Sequence, residues 1–261
     1  MPNTLAQDTP RSRDADAVPT TKIAMWSGPR NLSTAMMYAF AARGGCAVRD
    51  EPFYAVYPDR TGLIHPLRDE ILAAGERDPE VVAAQCAAPV PDGKPVFYQK
   101  HMAQHMVPGM PTGWMAQVVN VFLIRHPARV VASYAAKREN PTEADLGFTR
   151  IAELYDHARS LGQAPVVIDA LDIRANPESA LSQLCESLDL SWNPEMLSWP
   201  AGGHQDDGIW ARHWYGAVHQ STGFAGPEGP LPDLDGPYAD LARSGLDAYH
   251  HLAARRIAAN P

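Results

Sequence analysis

Residues 22–40, KIAMWSGPRNLSTAMMYAF, read as a buried strand, a tight basic turn and an amphipathic helix in immediate succession. The apolar run ends at Trp26, and Ser27-Gly28-Pro29 supplies turn chemistry. Leu32, Ala35, Met36, Ala39 and Phe40 then recur at helical spacing until Gly44-Gly45 ends the pattern. Such an order builds an anion site, because the first backbone N–H groups of the helix have no internal partner and point at the turn with the positive end of the helix dipole. Arg30 adds a permanent charge with a planar fork of donors, and Ser33 and Thr34 place two hydroxyls in the first helical turn. The stretch differs from the triphosphate loop G-x-x-x-x-G-K-[ST], since Arg30 stands for the lysine and Leu32 for a glycine. A strand-turn-helix with a single arginine also serves purely structural ends, so this segment alone leaves both readings open.

The rest of the chain narrows the setting. With 261 residues there is length for one large α/β domain, expected over 21–261 behind a disordered polar tail at 1–20. That tail has no apolar centre, so no ordinary secretory signal is expected in it. The net charge of -8 argues against nucleic acid as a partner, and any bound anion must be held by a local basic cluster. Cys46, Cys86 and Cys185 are odd in number and widely spaced, which suits a reducing cytoplasm better than a disulfide framework or a zinc knuckle. The longest apolar stretch, around Val118 to Ile124, is far shorter than the roughly 20 residues of a membrane-spanning helix, so no membrane partner is expected.

Apolar segments near Ile23–Trp26, Val96–Gln99, Val118–Ile124 and Val166–Ile168 alternate with helical patterns. This predicts a three-layer α/β/α fold with a mostly parallel central sheet. Ile151, Tyr155 and Ala158 define a scaffold helix from about Phe148 to Leu161, and Asn176-Pro177 cap and start another with an Ala180, Leu181, Leu184, Cys185, Leu188 stripe. Residues 199–237 turn to Gly, Pro, Trp and His and predict a long irregular excursion, either facing a ligand or pinned to the core by its aromatics. A closing helix with Leu241, Leu246 and Leu252 is expected over 236–259.

A second strand running into a helix, VFLIRHPARVVASYAAKREN at 121–140, ends its strand at Arg125, starts its helix near Pro127 and carries Ser133 eight residues after the arginine. With Pro29-Arg30-Asn31-Leu32-Ser33-Thr34 and with Leu171-Asp172-Ile173-Arg174-Ala175-Asn176-Pro177, this segment resembles the sulfotransferase superfamily, as a divergent, bacterial-type member with a P-loop nucleotide-hydrolase-like fold. The resemblance spans about residues 22–190. It implies a sulfuryl donor, 3'-phosphoadenosine 5'-phosphosulfate, with adenosine 3',5'-bisphosphate as product. It also implies that Gly28, Pro29, Arg30, Asn31, Leu32, Ser33 and Thr34 hold the 5' end while Arg125 and Ser133 hold the 3'-phosphate. Leu32 and Asn31 depart from the family's glycine and serine. Arg212, in Trp210-Ala211-Arg212-His213-Trp214-Tyr215, is the candidate for closing over the nucleotide in place of the family's C-terminal basic loop.

Sulfuryl transfer asks for alignment and charge stabilisation, and for a base within reach of the acceptor's hydroxyl or amine. The resemblance offers two, His101 in the Lys100-His101 segment and Glu51 in Arg49-Asp50-Glu51-Pro52, with Lys100 free to contact the sulfonate. A histidine suits the task at neutral pH, whereas Glu51 needs a raised pKa or a strong pairing. His101 and His105 have helical metal-ligand spacing but no third ligand, and no metal is expected. The expected function is sulfuryl transfer to a small-molecule acceptor. A small-molecule kinase using ATP and a non-catalytic anion-binding homologue are the alternatives.

Overall fold

The computed structural model describes residues 20–64 and 66–257, so most of the expected polar tail lies outside the described residues. Five strands form one all-parallel sheet: β1 (Thr21–Ser27), β2 (Cys46–Asp50), β3 (Val96–Met102), β4 (Val119–Ile124) and β5 (Val166–Asp169), in the spatial order β2-β3-β1-β4-β5. Four of them are the expected apolar segments. The fifth, β2, reads Cys-Ala-Val-Arg-Asp and lies at an edge, where half-buried polar residues are tolerated and the hydrophobic signal is weak.

Alternation along the strands sends residues to two cores. On one face Ile23, Met25, Tyr98, Val121 and Leu123 pack under the helix α1 (Ser33–Ala42) and the Pro177–Ser187 helix. Phe40 stacks on Tyr98 with ring centroids 4.5 Å apart. Fully burying a side chain such as Phe40 stabilises the fold by about 1.5–3 kcal/mol. On the other face Ala24, Trp26, Phe122, Ile124 and Val167 meet the Pro79–Ala87, Phe148–Ser160 and Leu246–Ala253 helices.

The expected caps are present: the Asn176 side chain accepts from the Ser179 N–H, and Pro127 opens the Pro127–Ala135 helix. The closing segment differs from the single expected helix. It forms two, Gly236–Ser244 and Leu246–Ala253, broken at Gly245. A Cβ on Gly245 would lie 2.5 Å from the Phe148 ring, so the chain turns where the ring needs room. The Leu171–Ala175 stretch is helical, within Ala170–Ala175. Within the expected 199–237 excursion, two one-turn helices, Ala211–Trp214 and Gly216–His219, interrupt irregular chain that runs up to the Gly236–Ser244 helix. Because β1 connects to β2 on one side while β3 connects to β4 on the other, the order reverses beside β1, and a crevice opens at the carboxyl ends of the strands.

Candidate active site

The basic turn leaves β1 at this crevice and is shaped by two left-handed residues, Arg30 at φ 62° and Leu32 at φ 64°. Leu32 therefore stands where a glycine would be conformationally cheapest, and its backbone carries strain of about 1–2 kcal/mol. Its side chain packs against the α1-side core, which helps to hold the conformation. Leu32 is also the N-cap of α1 and no side chain caps the helix, so the helix N-terminus opens into the crevice. Asn31 Nδ2 ties the turn to β4 through the Leu123 carbonyl at 3.3 Å, and Arg125 Nη1 donates to the Arg30 carbonyl at 2.6 Å. Arg30 Nε in turn donates to Ser133 Oγ at 2.9 Å. Burial, and then the Arg125 charge, push the Arg30 guanidinium below its ordinary pKa. An anion beside Arg30 would relieve that guanidinium.

The other end of the crevice is built around Lys100 on β3. The β2–β3 register sets Asp50 opposite Lys100, and the chain then turns through Glu51 at φ 38°, a left-handed conformation costing on the order of 1–3 kcal/mol for a non-glycine residue. Lys100 Nζ lies 2.9 Å from Asp50 Oδ1 and 2.5 Å from Glu51 Oε1, and it sits 4.5 Å from the centroid of the Tyr215 ring. The Tyr215 hydroxyl donates to the Asp50 carboxylate at 2.9 Å and lies 3.0 Å from Glu51 Oε1, while Trp210 Nε1 donates to it at 3.0 Å. Burial raises the Glu51 pKa, Lys100 draws it back and Asp50 adds to the rise, for a net upward shift. For Lys100, burial pushes down but Asp50 and Glu51 more than offset it, so the ammonium stays protonated. Glu51 thus has the raised pKa and the strong pairing that a carboxylate base needs. Beside it, His105 Nε2 is 3.9 Å from Glu51 Oε2, and the ring is stacked between Tyr54 and Tyr57 at 4.6 and 5.0 Å.

One cavity of about 380 Å³ joins the two ends. Pro29, Arg30, Asn31, Leu32, Ser33 and Thr34 line it together with Arg125 and Ser133, and Glu51 and Lys100 face the same space. Three expected site residues lie elsewhere. Gly28 is outside the lining, and its small size has a packing reason, since a Cβ there would come 2.7 Å from the Leu146 carbonyl oxygen. Arg212 turns outward to an exposed ion pair with Glu70 at 2.8 Å. His101 follows Lys100 on the same strand and so points to the opposite face, stacked on Trp26 at 4.6 Å and beside Trp114 at 5.0 Å. Burial and then Arg49 push it down to about 3, which keeps it neutral and remote from the cavity. Arg174, His105, Trp214 and Tyr215 line the cavity without having been singled out as site residues. For Lys100 and His101 the missing step was strand alternation; Arg174 lay in the quoted 171–177 motif and Tyr215 in the aromatic segment read as ligand-facing or core-pinned, but neither segment said which of its side chains would reach the cavity. Among the described residues no group of three or more His, Cys, Asp or Glu side chains is arranged to hold a metal ion. No helix among them is long and apolar enough to cross a membrane.

Comparison with known proteins bears on this geometry. The family model described as "Sulfotransferase domain" matches residues 21–256. The chain belongs to the sulfotransferase domain family. Among curated sequences, this sulfotransferase-family chain is 35% identical over 227 residues to branched-chain-amino-acid aminotransferase-like protein 1 and 35% identical over 228 residues to the related protein 2, both of Arabidopsis thaliana. Each match covers 87% of the chain but 40% of the relative, so the chain spans about two fifths of their length. Among solved structures, the sulfotransferase domain from the curacin biosynthetic pathway aligns with a TM-score of 0.46 at 15% identity, covering 87% of this chain and 98% of that one. The sulfotransferase domain from the Synechococcus PCC 7002 olefin synthase aligns at 0.41 and 12%, covering 90% and 98%.

Members of the sulfotransferase family use 3'-phosphoadenosine 5'-phosphosulfate in general, and the residues present suit it. The open α1 N-terminus with Arg30 suits one anionic group, and Arg125 with Arg174 suits a second within the same cavity.

Proposed function

We propose that this chain transfers a sulfuryl group from 3'-phosphoadenosine 5'-phosphosulfate to a hydroxyl or amine of a small-molecule acceptor. The observation that carries this reading is the shared cavity, with the Arg30 cradle at one end and the Glu51–Lys100 pair at the other. The donor supplies an activated sulfonate whose leaving group is a phosphate.

Arg30, the Ser33 and Thr34 hydroxyls and the α1 N–H groups bind the 5' end and are preorganised for negative charge growing on the bridging oxygen. Arg125 and Ser133 take the 3'-phosphate, and Ser133 also fixes the Arg30 side chain. At the other end Glu51 accepts the acceptor's proton, with Lys100 and Tyr215 holding its Oε1 and His105 Nε2 lying 3.9 Å from its Oε2. Tyr54 and Trp214, joined by a 3.2 Å hydrogen bond, furnish an aromatic wall for the acceptor.

Calorimetry tests the donor half. Adenosine 3',5'-bisphosphate is expected to bind at least tenfold more tightly than AMP, the value of about one charge-assisted contact, and Arg125→Ala is expected to erase that preference. Equal binding of the two nucleotides overturns the reading. A transfer screen with the phosphosulfate donor and mixed acceptors, read by mass spectrometry, tests the rest; magnesium-dependent ATP turnover in its place identifies a kinase.

A further inference from the structure

The Glu228 carboxylate lies on Arg125, to which the proposed function gives the 3'-phosphate, with Arg129 and Arg174 beside it. Residues 225–231, Ala-Gly-Pro-Glu-Gly-Pro-Leu, run as an irregular strap from Ala225 on the cavity wall across Arg125, Arg129 and Arg174. Just upstream the chain is anchored, with Gly223 bridged to Ser198 and Phe224 edge-on to Trp199 at 5.1 Å. Beyond Phe224 no residue of the strap joins the apolar clusters among the described residues, and arginines hold it instead. Arg174 Nε donates to the Gly226 carbonyl at 2.6 Å, and Arg129 donates to that of Gly229. The Glu228 side chain, only 3% exposed, accepts from Arg125 Nε at 3.0 Å. It also lies 2.9 Å from Arg129 Nε and 3.7 Å from Arg174 Nη1.

Three guanidinium charges facing one carboxylate leave this cluster positive. A phosphate monoester brings about one and a half to two negative charges and three acceptor oxygens, and so matches three arginine forks better than a carboxylate does. Both cannot occupy the same forks. The strap, tied down by polar contacts and lacking an apolar anchor, is the part free to yield.

We propose that Glu228 is a built-in competitor of the nucleotide's 3'-phosphate, occupying Arg125, Arg129 and Arg174 until the phosphate displaces it and lifts the 225–231 strap. This rests on the donor reading above. Its use to an enzyme is in turnover, because a carboxylate that returns to the arginines loosens the bisphosphate product.

The test is calorimetry of the full chain, wild type and Glu228→Gln, with adenosine 3',5'-bisphosphate and with AMP. The variant is expected to bind the bisphosphate about tenfold more tightly, since one charge-assisted contact no longer has to break, and to bind AMP as the wild type does. Unchanged or weaker bisphosphate binding, or an equal gain for AMP, overturns the proposal. Hydrogen exchange on the wild-type chain gives a check that needs no variant. The bisphosphate is expected to speed exchange at 225–231 while AMP leaves it unaltered, and slower exchange with the bisphosphate overturns the idea. If neither protein prefers the bisphosphate to AMP, the donor reading falls and this one with it. If the wild type prefers it and the variant gains nothing, only the role of Glu228 falls.

Discussion

The two ends of the cavity are made in opposite ways. The basic cradle comes mostly from one unbroken stretch, Pro29 to Thr34, whose turn geometry and helix terminus are local properties of the chain. The Glu51–Lys100 end is assembled from β2, β3 and the irregular 199–237 segment, with Tyr215 lying 164 residues from its partner Glu51. A local site takes its shape from its own turn and is braced from outside through Leu123, Arg125 and Ser133. A site built from distant segments depends on long-range burial, and that same burial tunes its pKa values.

The contrast can be pressed hardest at Glu51. Glu51→Gln removes the proposed base while keeping the hydrogen-bond acceptor for Lys100, and kcat is expected to fall about 10²–10⁴-fold with bisphosphate binding at the cradle unchanged. The pH profile sharpens the same point. The carboxylate is the working form and is present above its pKa, so activity should fall as pH drops. Because burial raises Glu51, the acid limb should stand above the ordinary carboxylate range and vanish in Glu51→Gln. A pH-independent wild type, or a variant that keeps full kcat, would remove Glu51 from the chemistry.

Lys100→Met tests the dependence on burial. It leaves Asp50 and Glu51 buried without their cation, and thermal or urea unfolding should show a loss of about 3–5 kcal/mol. Arg30→Met at the part-buried, locally built end should cost much less stability. Equal losses would end the distinction drawn between the two ends.

The smallest effect is expected next door on the same strand. His101→Gln should leave kcat within a few-fold of wild type and cause only the modest destabilisation of a substituted core ring, about 0.5–3 kcal/mol. A collapse of kcat with an intact fold would return the histidine to the active site.

How far the sequence could be read follows the same division. Four strands, α1, the Asn176 cap and the scaffold helices stood out because hydrophobic periodicity and capping are written locally. The edge strand β2 did not, since its Arg49 and Asp50 are polar and its pairing is with a strand about fifty residues on. The closing helix broke at Gly245 because a ring from another helix, Phe148, occupies the space, a fact with no trace in the neighbouring residues. Lys100 and His101 show the limit most clearly: adjacent in sequence, they face opposite cores, so one lines the cavity at Glu51 and the other packs on Trp26.

By itself, then, the chain's sequence determined the parallel α/β frame and the strand-turn-helix around Pro29 to Thr34, which rest on local periodicity and turn chemistry, whereas the joint reading of Arg125 and Ser133 came from the family resemblance, and both residues bond to Arg30. Only the tertiary structure decided that Glu51 lines the cavity with a raised pKa while His101 packs on the opposite face, that Arg212 faces solvent, and that Glu228 rests among three arginines. The reason is physical: which face a strand residue takes, which charges share a buried space and how far burial shifts a proton are set by long-range packing.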